Sequence, residues 1–134
     1  MPKIAMFDLA TDADSHKLIN EFYAANKIVS SVCHGPGALA LVKLPSGKYL
    51  LDGEPVTGYS NVEEGMAGVV DIMPFSLEDA LTKASGGRYS KAAEPLGVNV
   101  VVGRGGLLIN GQNPASAGPT GEAILASLRS LGKV

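Results

Sequence analysis

The run from Ile28 to Pro36 limits what this chain can fold into more than any other stretch. Ile28-Val29-Ser30-Ser31-Val32 reads as a short strand that tolerates burial on both faces. Cys33-His34-Gly35 follows without a spacer, and Pro36 stands where the first turn of a helix begins. Ala38 to Val42 continue that helix with small and apolar residues. Upstream, Leu18, Ile19, Phe22 and Tyr23 recur at helical spacing between Asp12 and Asn26. Asp12 or Asp14 caps the start of that helix and Asn26 ends it. Helix, strand, tight turn, helix is the order of an α/β protein with a parallel sheet.

The middle of the chain changes character. Tyr49-Leu50-Leu51 and Pro55-Val56-Thr57 flank Asp52-Gly53, which predicts a β-hairpin inserted into the fold. Ser76-Leu77-Glu78-Asp79 opens a helix that reaches about Ala84, where Gly86-Gly87 stops it. Val98 to Val102 and Leu107 to Ile109 read as two further strands joined by Gly103-Arg104-Gly105-Gly106. That glycine-rich loop joins strand to strand rather than strand to helix, so it reads as a hairpin turn and not a phosphate loop. Pro119 opens a last helix with Ile124, Leu125, Leu128 and Leu131 facing inward. Without a linker or an internal repeat, residues 1–134 read as one domain.

Composition excludes several functions. A net charge of -2 and the absence of a Lys/Arg run argue against a nucleic-acid surface. No stretch approaches the ~20 apolar residues of a bilayer span. Met1-Pro2-Lys3-Ile4-Ala5 carries no signal pattern. A single cysteine allows neither an intrachain disulfide nor a multi-cysteine metal site, and a lone thiol fits the reducing cytoplasm.

That cysteine is the natural centre for chemistry. A thiol attacks only as thiolate, and reactive cysteines sit at helix N-termini or beside a cationic partner. Cys33 ends a strand just before the expected helix, with His34 adjacent. Adjacent residues point apart on a regular element, so the two cooperate only in a tight, strained turn, which Gly35 eases. Against this, free cysteine is commonly buried and inert. A basic His34 needs a carboxylate to orient it, and Asp52, Glu54, Glu63, Glu64 and Asp71 are the candidates. Asp52 is explained by its turn, with Glu54 exposed beside it; spacing does not choose between Glu63 and Glu64. His16 reads as exposed on its helix. Gln112-Asn113-Pro114-Ala115-Ser116-Ala117 is a polar loop after a strand, either a pocket wall or a turn.

Val32-Cys33-His34-Gly35-Pro36, Val56-Thr57-Gly58-Tyr59-Ser60-Asn61-Val62-Glu63-Glu64 and Asn113-Pro114-Ala115-Ser116-Ala117 stand in this order along the chain. Together they resemble the DJ-one/PfpI superfamily, also called class I glutamine amidotransferase-like, and within it the heat-shock chaperone and glyoxalase III branch. The resemblance extends from about Met6 to Val134. It implies a flavodoxin-like sandwich with the cysteine at the turn after a central strand. It also implies a triad of Cys33 as nucleophile, His34, and Glu64 rather than Glu63 as the acid. Gly35, Asn61, Asn113 and Pro114 are the pocket residues expected beside it. Members of this branch convert methylglyoxal to D-lactate without glutathione, cofactor or metal. Some act in the stress response as holdase chaperones or as protein deglycases, and a PfpI-like cysteine peptidase is a further reading of the dyad. Glutamine amidotransfer is disfavoured, because it uses a histidine far downstream and none follows His34.

Family domains also carry a preceding half of several βα units. That half supplies a glutamate touching the cysteine and a Gly-Gly-His-Gly loop leading into Met-Phe-Asp-Leu. Here Met6-Phe7-Asp8-Leu9 follows Met1-Pro2-Lys3-Ile4-Ala5 instead. The expectation is an N-terminally truncated member, a C-terminal half-sandwich without the tuning carboxyl and the oxyanion donors; one such donor is typically worth ~100-fold in rate. The strand at Ile28 to Val32 is then an open edge beside an uncovered apolar face. Two functions follow, a glyoxalase acting on a small aldehyde, or a catalytically impaired binding module. The exposed edge calls for a homo-oligomer or a partner that covers it.

Overall fold

The computed structural model describes residues 5–134. The N-terminal stretch read above for a signal pattern lies mostly outside them. A π-turn at Ala5–Leu9 leads into α1, Ala13–Ala24. Asp12 caps α1 by accepting the Ser15 N–H at 2.8 Å. The far end closes as a Schellman motif: Asn26 turns left-handed at φ 53, its N–H reaches the Tyr23 carbonyl, and the Lys27 N–H reaches that of Phe22. β1 follows at Val29–Val32, α2 at Asn61–Met66, α3 at Leu77–Ala84, β2 at Val100–Gly103, β3 at Leu108–Gly111 and α4 at Ala117–Ser130.

The sheet runs β1-β3-β2 and is mixed. β1 lies parallel to β3 with Ser31 opposite Asn110, and β2 is antiparallel to β3 across the predicted turn at Arg104–Gly106. Each face carries its own layer. Val29 and Leu108 face a core of Leu39, Val42, Leu50, Leu51, Val56, Leu77 and Leu81, where each large apolar side chain contributes about 1.5–3 kcal/mol. Val32 and Gly111 face α4, and a Cβ on Gly111 would overlap Thr120 Oγ1. The architecture is α/β as expected, with helices on both faces, but the sheet is mixed rather than parallel throughout.

Several local expectations are corrected. After Pro36 the chain makes only a short 3-10 turn, Gly35–Ala38. It then leaves the helical path, because the Leu50 N–H takes the Val42 carbonyl and Lys43 bridges Tyr49. The hairpin-like reversal is therefore at Pro45–Gly47 and not at Asp52-Gly53. The Asp52-Gly53 turn exists, with Gly53 at φ 75, but its flanks part: Val56 bridges Tyr89. Ser30 is exposed, so β1 is not buried on both faces. Leu125 on α4 and Leu131 just past its end stay exposed, and of the helix only Thr120 is buried. His16 is half-buried and bonds the Ala10 carbonyl through Nε2 at 2.8 Å. Glu54 is half-buried and accepts the Arg104 N–H at 2.8 Å.

Candidate active site

β1 ends by handing its ladder to Cys33, whose N–H donates to the Gly111 carbonyl at 3.0 Å. Cys33 itself turns left-handed at φ 63, a strained position for a residue with a Cβ. That reversal lets neighbouring side chains approach, and Cys33 Sγ lies 3.4 Å from His34 Nδ1. Gly35 comes next under a close ceiling, since a Cβ there would sit 3.2 Å from that of Ser31. Gly37 is held against Met6, whose sulfur occupies the space a Cβ would need.

The carboxylate on the other side of the imidazole is Glu64. Its Oε1 is 2.7 Å from His34 Nε2, and both side chains are buried. Carboxylate oxygens accept, so this contact assigns the proton to Nε2 and leaves the Nδ1 lone pair facing the thiol. Glu64 Oε2 is buried with no partner among the described residues.

Glu63 serves a different purpose. Ser60 and Glu63 form a capping box at the start of α2: the Glu63 N–H reaches Ser60 Oγ, and Glu63 Oε1 accepts the Ser60 N–H at 3.0 Å. The same carboxylate accepts Ser60 Oγ–H at 2.7 Å, Gln112 Nε2 at 2.8 Å, Asn113 Nδ2 at 2.9 Å and the Leu96 N–H at 3.1 Å. Burial pushes the Glu63 carboxyl up, but the donors from Gln112, Ser60 and Asn113 outweigh it and hold it below the usual carboxylate range.

The Cys33 thiol goes the other way. Burial raises its pKa first; the His34 backbone hydrogen bond lowers it, and the charges of Glu63 and Glu64 raise it again. Helix-terminus activation of this thiol is therefore a corrected expectation. Gly35–Ala38 is four residues of 3-10 turn and carries little of the dipole of a full helix.

The remaining predicted residues separate. Asn61 is exposed, donates through its N–H to Glu78 Oε2 at 2.7 Å and accepts Ser76 Oγ–H at 2.7 Å. With Glu64, Val70, Met73, Phe75 and Ser76 it lines a cleft of about 230 Å³. Asn113 is no pocket wall: it is fully buried, and its amide is taken by Glu63, the Gly97 carbonyl and the Ser116 cap. Pro114 is exposed beside it. Tyr59 was not singled out from sequence, yet its ring lies on His34 with centroids 4.5 Å apart. The Glu63 network was missed as well, although Ser60-Asn61-Val62-Glu63 carries a capping-box spacing. Among the described residues no group of three His, Cys, Asp or Glu is placed to hold a metal, and no helix is long and apolar enough to cross a membrane.

Comparison with known proteins gives a consistent answer. No protein-family model matches the chain. It is 30% identical over 131 residues to a probable glutathione-independent glyoxalase of Schizosaccharomyces pombe, covering 93% of this chain and 57% of that protein. To a glutathione-independent glyoxalase of Saccharomyces cerevisiae it is 31% identical over 130 residues, covering 92% and 53%. A human glutamine amidotransferase-like class 1 domain-containing protein matches at 31% over 121 residues, covering 90% and 53%. Among solved structures, Rapid Encystment Protein 24 KDa of Francisella tularensis superposes with a TM-score of 0.86 at 39% identity over 92% of this chain and 53% of its own. Glyoxalase III of Candida albicans gives 0.81 at 29% identity, covering 92% and 52%. The chain thus spans about half the length of the relatives it matches. Over about nine-tenths of its length it is homologous to glutathione-independent glyoxalases and to a class 1 glutamine amidotransferase-like protein.

Proposed function

We propose that this chain carries the thiol half of a glutathione-independent glyoxalase and that Cys33, His34 and Glu64 act on methylglyoxal. The observation that carries the reading is the line from Sγ through the imidazole to Oε1, at 3.4 and 2.7 Å. In this scheme His34 Nδ1 takes the thiol proton and Sγ bonds to the aldehyde carbon. The carbonyl electron pair moves to oxygen, which is protonated to give a hemithioacetal. A base then removes the proton on that carbon, a proton is delivered to the neighbouring carbon, and a lactoyl thioester results. Water cleaves the C–S bond, releasing D-lactate and restoring the thiol. One carbon is oxidised and its neighbour reduced, so the sequence needs no external redox partner. Glu64 supports it by holding the Nε2 proton in place and stabilising the imidazolium.

The test is D-lactate formation from methylglyoxal by the purified chain, expected for the wild type and lost in Cys33→Ala. Equal production by Cys33→Ala sinks the reading. A second reading is favoured by the raised thiol pKa and the exposed β1 edge: an impaired homologue that works by binding, as a chaperone-like or self-associating module in the cytoplasm. It is supported by suppression of client aggregation without D-lactate, and removed if neither occurs. Deglycase or peptidase activity would instead appear as Cys33-dependent release from glycated or peptide substrates.

A further inference from the structure

Tyr59 touches both members of the Cys33-His34 pair. Its backbone N–H donates to the Cys33 carbonyl at 2.9 Å, and its ring lies on the His34 imidazole at 4.5 Å between centroids with a 39° tilt. The first contact pins the carbonyl leaving the left-handed residue at φ 63. The second bears on the torsion that matters most. Rotation of an imidazole about its Cβ–Cγ bond is broad and lacks deep wells. Yet Nδ1 must face Sγ while Nε2 faces Glu64. The one hydrogen bond that Nε2–H donates to Glu64 fixes a point on the ring and leaves it free to pivot; a flat surface against the ring removes that pivot. The backbone before Tyr59 is closely packed, since a Cβ on its neighbour Gly58 would come within 2.8 Å of Leu81 Cδ1 and 3.2 Å of Pro36 Cγ. Burial, and then the charges of Cys33, Glu63 and Glu64, push the phenol up, so the ring stays neutral.

We propose that Tyr59 is a positioning residue whose ring and N–H together set the His34 imidazole against the Cys33 thiol. This rests on reading Cys33 and His34 as a cooperating pair, not on the identity of the substrate. The test is a double-mutant cycle read by iodoacetamide alkylation of Cys33 across pH, with no aldehyde present. His34→Gln slows alkylation near neutrality in the wild-type background. In Tyr59→Leu, which keeps apolar volume without a flat ring, that effect shrinks about tenfold, the size expected for groups in contact. Tyr59→Phe restores it. Tyr59→Met replaces the leucine variant if the latter does not melt cooperatively. An undiminished His34→Gln effect in a folded Tyr59→Leu or Tyr59→Met protein overturns the proposal. So does an effect lost in Tyr59→Phe, or no effect of His34→Gln in the wild type. Coupling without D-lactate from any variant rejects the glyoxalase reading alone; D-lactate with a flat cycle rejects the role of Tyr59 alone.

Discussion

Cys33 pairs a strained backbone with a thiol that burial holds protonated. Because its pKa is raised, the thiolate fraction near neutrality is lower than for a free cysteine, whose midpoint lies near 8.5. The alkylation rate should therefore keep rising with pH beyond that value. Glu64→Gln removes a raising charge and should move the midpoint down; a wild-type midpoint below pH 8 would contradict the raised thiol. Glu63 has the opposite sign. Its folded pKa is lowered, so its contribution to stability is present above the unfolded value near 4.3 and is lost as pH falls through the folded value. Glu63→Ala leaves buried donors on Gln112, Asn113 and Ser60 unmatched, and should cost more than about 3 kcal/mol near neutrality by urea denaturation. It should also flatten the loss of stability on acidification. At this scale the adjacency of Cys33 and His34 was legible, since Gly35 marks a tight turn. The choice of Glu64 over Glu63 came from the family resemblance and not from spacing, because consecutive helical residues point about 100° apart and only the cap fixes which of the two buried carboxylates turns to His34.

Elements with strong local signals came out as read. Asp12, Ser76 and Asn26 are chemical punctuation whose effect is confined to one turn, so α1, α3 and the end of α1 were visible in sequence. The stretch from Leu39 to Val56 was not, because its pairings are tertiary. Asp52-Gly53 does turn, but a turn residue does not say whether its flanks will find each other or, as here, Lys43 and Tyr89. The helix expected after Pro36 yields to the bond between the Leu50 N–H and the Val42 carbonyl. The packing of α3 and α4 gives a further expectation. Gly58→Ala drives a Cβ into Leu81 and Pro36 and should destabilise by about 1–3 kcal/mol, read as a shift in the urea midpoint with an unchanged slope. Gly111→Ala, which meets Thr120 on a docked helix and Val32 on β1, should cost at least as much.

Across the whole molecule, apolar surface overhangs one open edge. Among the described residues β1 has a neighbour on one side only, and the N–H groups of Ser30 and Val32 point away from β3. Beside it α1 buries none of its residues, leaving Leu18 56% and Phe22 39% exposed. Such an edge with apolar flanks favours association. Sedimentation velocity should show concentration-dependent self-association that Leu18→Lys with Phe22→Lys reduces; an unaltered distribution in that variant would place the contact elsewhere. The parallel pairing of β1 with β3 has a temporal consequence as well. Ser31 and Asn110 bond across 79 residues of chain, and such distant closure is slow because its entropy is lost before the contact rewards it. The Gly111 carbonyl that receives the Cys33 N–H belongs to that late-arriving strand. During refolding the thiol should therefore stay open to a rapid labelling reagent until the last phase, long after α1 and α3 have formed.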